Sequence, residues 1–108
     1  MTMILNEVLR LYPPTTTLIR TTYKKIKLGN TYIPSSVQLF TPVHMLHQDP
    51  DLWGEDANEF NPERFPEGIG KASKDQLSFF SFGWGPRICI GQNFAMIEVK
   101  VALSMILK

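Results

Sequence analysis

Hydrophobic residues at the start of the chain repeat at helical spacing. Ile4, Val8 and Leu11 recur every three to four positions and form one apolar stripe, and the leucines between them form a second. Pro13 and the proline after it stop the pattern, because proline breaks a helix interior. We expect a helix over residues 3–11 that packs against partners on two sides.

The final segment of the chain is more apolar still. After Phe94 the only polar residues are Glu98, Lys100, Ser104 and Lys108. A helix that is apolar nearly all round is typical of a protein interior, so we predict a buried final helix. Neither terminal helix shows a capping signal at its outer end, so we expect both ends to be cut from a longer polypeptide.

Between the helices the pattern predicts short strands and then a long loop. β-branched residues favour strands, Pro42 is expected near a strand end, and Gly29-Asn30 predicts the turn of a hairpin. Asp49-Pro50 is expected to end a short helix. The predicted elements are strands over 16–22, 26–28, 31–33 and 37–43, a short helix over 44–48, and a mostly irregular loop over 51–80.

Composition limits the classes of function. The 108 residues form at most one domain, and a net charge of +1 with 19% charged residues provides no basic surface for nucleic acid. The single cysteine excludes an internal disulfide. We find no secretory leader pattern and no apolar run long enough to span a bilayer.

That cysteine lies in the most informative stretch, residues 82–91. If the stretch is extended, Arg87 and Cys89 point to one side about 6–7 Å apart, because alternate residues of a strand share a face. Ile88 and Ile90 then point to the other side, into apolar packing. A soft anionic ligand beside a planar cation suits a metal and a carboxylate on a large flat cofactor. The flanking glycines let the backbone lie close to such a cofactor.

The stretch resembles the haem-binding loop of the cytochrome P-450 family, Phe-x-x-Gly-x-Arg-x-Cys-x-Gly, and fills all of its fixed positions. The resemblance implies that Cys89 is the axial ligand of the haem iron. It also implies that Arg87 binds a haem propionate through charge-assisted hydrogen bonds. The other implied haem contacts are Phe82, Gly85, Gly91 and Ala95.

Two further motifs extend the resemblance to the rest of the chain. Glu7 and Arg10 match the Glu-x-x-Arg helix of the family, and Arg64 lies in its Pro-Glu-Arg-Phe stretch. The resemblance implies a buried structural triad of these three residues that locks the loop beneath the haem. It also implies a second propionate contact from Arg20. The implied substrate-pocket residues are Thr15, Thr16, Thr17 and Leu18.

The resemblance implies an α+β structure, the C-terminal proximal part of the mostly helical cytochrome P-450 fold. Residues 1–108 would form a partial haem-binding domain with no catalytic residue beyond the haem ligand. The cofactor would be haem b, with electrons from NADPH through a flavoprotein NADPH-cytochrome reductase. The implied reaction inserts one atom of O₂ into a lipophilic small molecule.

The sequence of residues 80–95 is most similar to that of plant members of the family that act on terpenoid-type substrates. The parent enzyme would lie on the cytosolic face of the endoplasmic reticulum membrane, although this chain shows no anchor. We expect the isolated chain to be inactive.

Two other functions remain open from the residues. One is a non-catalytic haem-binding or partner-binding module. The other is a hydrolase with Cys89 as nucleophile, which needs a poised histidine and an oxyanion site. His44 and His47 lie three residues apart and could share a metal on a helix, but no second cysteine, acidic pair or third histidine completes a site, so we expect a structural role for His47.

Overall fold

The computed structural model describes residues 1–75 and 77–108 as a mixed helix and strand structure. The helices are α1 Thr2–Leu11, α2 Val43–His47, α3 Pro50–Trp53 and α4 Gln92–Ile106. The strands are β1 Thr17–Thr21, β2 Ile26–Leu28, β3 Thr31–Ile33 and β4 Gln38–Pro42. Short 3-10 turns lie at Pro62–Arg64, Ile69–Lys71 and Gly85–Arg87.

The strands form two antiparallel pairs. β1 pairs with β4, and Thr17 lies opposite Pro42 at the end of the ladder. β2 and β3 form the predicted hairpin, and Gly29 in its turn has a φ of 57°, in the left-handed region that favours glycine. The two longer predicted strands are present, each one residue shorter at both ends.

An aromatic core lies under the segment that was predicted to be irregular. Its buried residues are Trp53, Ala57, Phe65 and Phe79. The rings of Phe65 and Phe79 meet edge to face with centroids 5.9 Å apart, an arrangement that aromatic pairs favour. This core holds the segment against α1 and α2.

The prediction of a mostly irregular loop over 51–80 was too simple. Asp49 caps α3, because its carboxylate oxygen accepts a hydrogen bond from the Asp51 N–H at 2.9 Å. Asn61 caps the 3-10 turn after it in the same way, through the Glu63 N–H at 3.1 Å. Such caps depend on residues that are close in the sequence. The turns that they begin are too short to show a sustained hydrophobic periodicity, so the pattern did not predict them. Gln76 of this loop lies outside the described residues.

The expectation of a buried final helix is wrong for this structure. No residue of α4 is buried. One apolar face, with Ala95, Met96 and Val99, is half-buried and turns toward the cavity described below. The opposite face, with Phe94 and Ile97, is exposed because the described elements pack on one side of the helix only. None of the helices in the described part has the length and apolar character needed to cross a membrane.

Candidate cofactor site

The cysteine loop, residues 80–91, is folded by its own backbone hydrogen bonds. The Cys89 N–H donates to the Phe82 carbonyl at 2.8 Å, which closes the loop on itself. The Gly83 N–H donates to the Phe80 carbonyl at 2.9 Å, and Gly83 has a φ of 75°. The loop therefore presents Cys89 on a fixed turn just before the start of α4.

The expected extended conformation of this loop is not observed. Arg87 is the last residue of a 3-10 turn, in which alternate residues do not share a face. Ile88 is 44% exposed and Ile90 is fully exposed, so neither packs into an apolar interior as predicted. The prediction of an extended segment was wrong because glycines on both sides let the backbone turn.

The two glycines of the motif have different surroundings. Gly85 has a φ of 73°, and a Cβ on it would meet no heavy atom within 4 Å, so its backbone angle explains the glycine. Gly91 has an ordinary φ of −86°, and a Cβ on it would lie 3.7 Å from the Cys89 sulfur. A Cβ at this position would therefore contact the sulfur at an ordinary van der Waals distance, without a clash.

A cavity of about 500 Å³ lies between the cysteine loop, α1 and α4. Its walls are mostly apolar, and α1 contributes Leu5, Val8 and Leu9. The Cys89 side chain is exposed and lies on the cavity wall. Its sulfur is therefore accessible to a ligand inside an otherwise apolar space.

The structure gathers many of the predicted site residues around this cavity. Those on its wall are Thr15, Leu18, Phe82, Arg87, Cys89 and Ala95. Thr16 and Thr17 are not among the lining residues. The Thr16 carbonyl instead accepts a hydrogen bond from the His44 N–H at 3.4 Å, and Thr17 begins β1.

A second, polar cavity of about 400 Å³ adjoins Arg87 and brings it together with Arg20. The Arg20 guanidinium donates to the Ile19 carbonyl at 2.9 Å and is exposed. Among the described residues, no carboxylate forms an ion pair with either arginine. Two guanidiniums are thus free to bind an anionic group at this point.

Glu7, Arg10 and Arg64 lie together in the buried interior. The Arg10 guanidinium binds the Glu7 carboxylate through two parallel bonds, at 2.7 Å from Nε and 2.8 Å from Nη2. Arg64 Nε lies 3.5 Å from Glu7 Oε1. The Asn61 N–H also donates to Glu7, at 2.9 Å. This bidentate contact is the strongest arrangement of an arginine–carboxylate pair.

Most of the remaining donors of these arginines bind backbone carbonyls, whereas the buried Arg64 Nε has no hydrogen-bond partner among the described residues. Arg10 donates to the carbonyls of His47, Ala57 and Glu59. Arg64 donates to the Trp53 carbonyl and to Asp56, and its hydrogen bond lowers the pKa of the Asp56 carboxyl. The charged cluster thus fastens the loop over 53–59 to α1. Asp56 was missed by the sequence analysis.

The two histidines lie in different environments. His47 is fully buried, and its ring stacks on Phe79 with centroids 5.3 Å apart. Both ring nitrogens are bonded to backbone groups, Nδ1 to the Arg10 carbonyl at 2.9 Å and Nε2 to the Phe80 N–H at 2.8 Å. His44 is exposed. Burial lowers the pKa of His47 to about 4, so the ring is neutral.

This geometry does not favour a hydrolase. A general base needs a free ring nitrogen near the nucleophile, and both nitrogens of His47 are occupied. Within the described part of the chain, no cluster of three or more metal-ligating side chains is present. The pair of histidines therefore gives no support for a metal site of its own.

Comparison with known proteins identifies the family. The family profile described as Cytochrome P450 matches residues 1–108. The chain belongs to the cytochrome P450 family. It is 63% identical over 107 residues to "Cytochrome P450 CYP72A616" of Paris polyphylla, covering 99% of this chain and 21% of that protein.

Other plant cytochromes P450 match to a similar extent. "Cytochrome P450 72A15" of Arabidopsis thaliana is 57% identical over 108 residues, which is 100% of this chain and 21% of that protein. "11-oxo-beta-amyrin 30-oxidase" of Glycyrrhiza uralensis is 58% identical over 107 residues, 99% of this chain and 20% of that protein. The chain thus spans about a fifth of the length of these cytochrome P450 relatives.

Proposed function

We propose that this chain supplies the cysteine-bearing wall of a haem-thiolate monooxygenase, with Cys89 as the axial ligand of the haem iron. The observation that carries the proposal is the shared position of Cys89 and Arg87 on one large apolar cavity. The residues fit the group: a soft sulfur donor, an apolar enclosure and unpaired guanidiniums at one edge. When bound through a thiolate, haem supplies the chemistry that activates O₂.

The chain's own residues hold and orient that group. Arg87 and Arg20 would bind the propionates, since both adjoin the polar cavity. Phe82 and Ala95, on the cavity wall, would pack against the ring and keep water from the sulfur, and Gly91 would adjoin it. The parent enzyme would insert one oxygen atom from O₂ into a lipophilic substrate, and membership of the family supports this reaction.

The triad of Glu7, Arg10 and Arg64 has a structural role in this proposal. It joins α1 to the loop through buried charge-assisted hydrogen bonds, and none of its members lines the cavity. It therefore holds the cavity wall in place without contacting the cofactor.

A terpenoid is the substrate class that the relatives favour. One relative is named as an oxidase of 11-oxo-beta-amyrin, and the apolar cavity that Thr15 and Leu18 line suits such a molecule. Electrons would come from NADPH through a flavoprotein reductase, and the parent enzyme would work at the endoplasmic reticulum membrane. The isolated chain is not expected to turn over substrate, because the Cys89 side chain on the cavity wall is exposed and the described residues do not close the cavity to water.

The thiolate ligand gives a direct spectroscopic test. The full chain, mixed with haemin and reduced under carbon monoxide, should show the strongly red-shifted Soret band of thiolate-ligated iron. Cys89→Ser should abolish that band, and Cys89→His should move it to the position typical of imidazole ligation. Both results follow because each substitution replaces the sulfur donor with a donor of a different kind.

Ser104→Ala is the matched control, since Ser104 is exposed on α4, and it should leave the band unchanged. A wild-type chain that binds haem but gives the same spectrum as Cys89→Ser would refute the assignment of the ligand.

A further inference from the structure

The last turn of α1 has carbonyl groups that the helix itself does not satisfy. The final carbonyls of any helix lack intrahelical donors and need partners from elsewhere. The Val8 carbonyl accepts from the next backbone N–H beyond the helix, that of Tyr12, at 2.8 Å. Side chains far along the sequence satisfy the other three.

Each of those three carbonyls has its own donor. The Leu9 carbonyl accepts from the Ser81 hydroxyl at 2.8 Å, and the Arg10 carbonyl bonds His47 Nδ1 at 2.9 Å. The Leu11 carbonyl accepts from Gln48 Nε2 at 3.4 Å. The helix end is therefore a docking point for α2 and for the start of the cysteine loop.

The bonds of His47 fix its tautomer. The Phe80 N–H donates to Nε2, so that nitrogen carries the lone pair and the proton lies on Nδ1, which donates to the Arg10 carbonyl. The ring is thereby a neutral bridge between the end of α1 and the first residue of the cysteine loop. Phe79 stacks on it and fixes its plane.

Three consecutive residues at the start of the cysteine loop each form a hydrogen bond that holds the loop in place. Phe80 donates to His47, Ser81 donates to Leu9, and the Phe82 carbonyl accepts from the Cys89 N–H. A short series of hydrogen bonds thus connects the end of α1 to Cys89.

We propose that His47 and Ser81 are positioning residues that anchor the cysteine loop on the end of α1 and so set the place of the Cys89 sulfur on the cavity wall. Their link to haem ligation rests on the function proposed above. The anchoring itself is a property of the polypeptide and does not depend on the cofactor. If Ser81 and His47 only filled space, removal of the hydroxyl or of the ring nitrogens would not move the loop.

Three substitutions test the anchors separately. Ser81→Ala removes the hydroxyl, and Ser81→Thr restores it, with room for the extra methyl because Ser81 lines the cavity. His47→Asn keeps a donor near the Nδ1 position but loses the acceptor for Phe80. The controls are His44→Gln, an exposed histidine on the same helix, and Ser104→Ala, an exposed serine with a similar hydroxyl bond to a carbonyl.

The first readout is hydrogen exchange at the Cys89 amide in the full chain without haem. Ser81→Ala and His47→Asn should speed exchange about fivefold, the effect of losing one net hydrogen bond on the opening equilibrium. Ser81→Thr and both controls should exchange at the wild-type rate. A folded Ser81→Ala chain that exchanges the Cys89 amide at the wild-type rate would overturn the proposal. If His47→Asn does not fold, the result for Ser81→Ala alone tests the proposal.

The second readout is the carbon monoxide spectrum of the haemin-loaded chain. Ser81→Ala should lower the share of thiolate-ligated haem, and Ser81→Thr should recover it. An unchanged thiolate share in Ser81→Ala would also count against the proposal. A wild-type chain without any thiolate band would refute the proposed function, while the exchange experiment would still decide on the anchors.

Discussion

Glu7 lies fully buried between two guanidiniums. It accepts two bonds from Arg10, one from the Asn61 N–H, and faces Arg64 at 3.5 Å. A buried carboxylate is stable only when such partners are present, and the same holds for the two cations. The charge balance of the interior therefore depends on this residue.

Glu7→Gln should destabilise the chain by about 3–5 kcal/mol, because it leaves the buried Arg10 guanidinium without a counter-charge, whereas Arg64 keeps its ion pair with Asp56. Equilibrium unfolding in urea measures the loss. Glu63→Gln is the matched control: Glu63 is exposed, and its replacement should change the stability by less than about 0.5 kcal/mol. Equal effects of the two substitutions would show that the buried pair adds no stability.

Burial of His47 predicts a stability that depends on pH. Its pKa falls from 6.5 in the unfolded chain to about 4 in the folded one. Between these values the unfolded state binds a proton that the folded state does not, so the free energy of unfolding falls as the pH falls. The contribution is complete above about pH 6.5 and lost by about pH 4, with a total of roughly 3 kcal/mol.

Urea unfolding at several pH values across that window measures the slope. The charged groups near the ring are the Arg10 guanidinium and the Glu7 carboxylate bound to it, and Arg10 donates to the His47 carbonyl. His44→Gln should keep the slope because His44 is exposed. His47→Gln should remove it, and a variant with the wild-type slope would show that another group titrates.

At the scale of elements, the cysteine loop depends on backbone angles that ordinary residues avoid. Gly85 has a φ of 73° with open space around it, so only the backbone angle opposes a side chain there. Gly85→Ala should cost about 1–2 kcal/mol. Gly85→Asn should cost less, because asparagine tolerates the left-handed region.

Thermal and urea unfolding measure this cost. Gly70→Ala is the control, since Gly70 has open space and no left-handed φ, and it should leave stability unchanged or slightly higher. If Gly85→Ala were as stable as Gly70→Ala, the left-handed turn would not be needed for the fold.

At the scale of the whole molecule, α4 exposes a continuous apolar face. Its residues Phe94, Ile97, Val101 and Met105 follow helical spacing and are each more than half exposed. Water-exposed apolar area of this kind drives association. The isolated chain should therefore self-associate as its concentration rises.

Analytical ultracentrifugation over a range of concentrations tests this. Ile97→Lys together with Val101→Glu should shift the chain toward the monomer, because the charges interrupt the apolar face. Tyr32→Lys, an exposed aromatic on the hairpin, should leave association unchanged. A wild-type chain that stays monomeric at all concentrations would contradict the prediction.

The predictable parts of this protein depend on neighbours in the sequence. The helix over 3–11 and the hairpin around Gly29 could be predicted because helical spacing and turn chemistry act within about ten residues. Local pattern likewise paired Glu7 with Arg10 on one helix face. The sequence alone was therefore sufficient for these local elements, while the role of Cys89 as a haem ligand stays a prediction.

Tertiary structure decided how these pieces meet. The Arg10 donors reach carbonyls 37 and 47 residues away, and the Ser81 hydroxyl reaches back 72 residues to Leu9. The exposure of α4 likewise depends on what packs nearby. No local pattern encodes such contacts, because a hydrogen bond between distant residues exists only once the fold has brought donor and acceptor together.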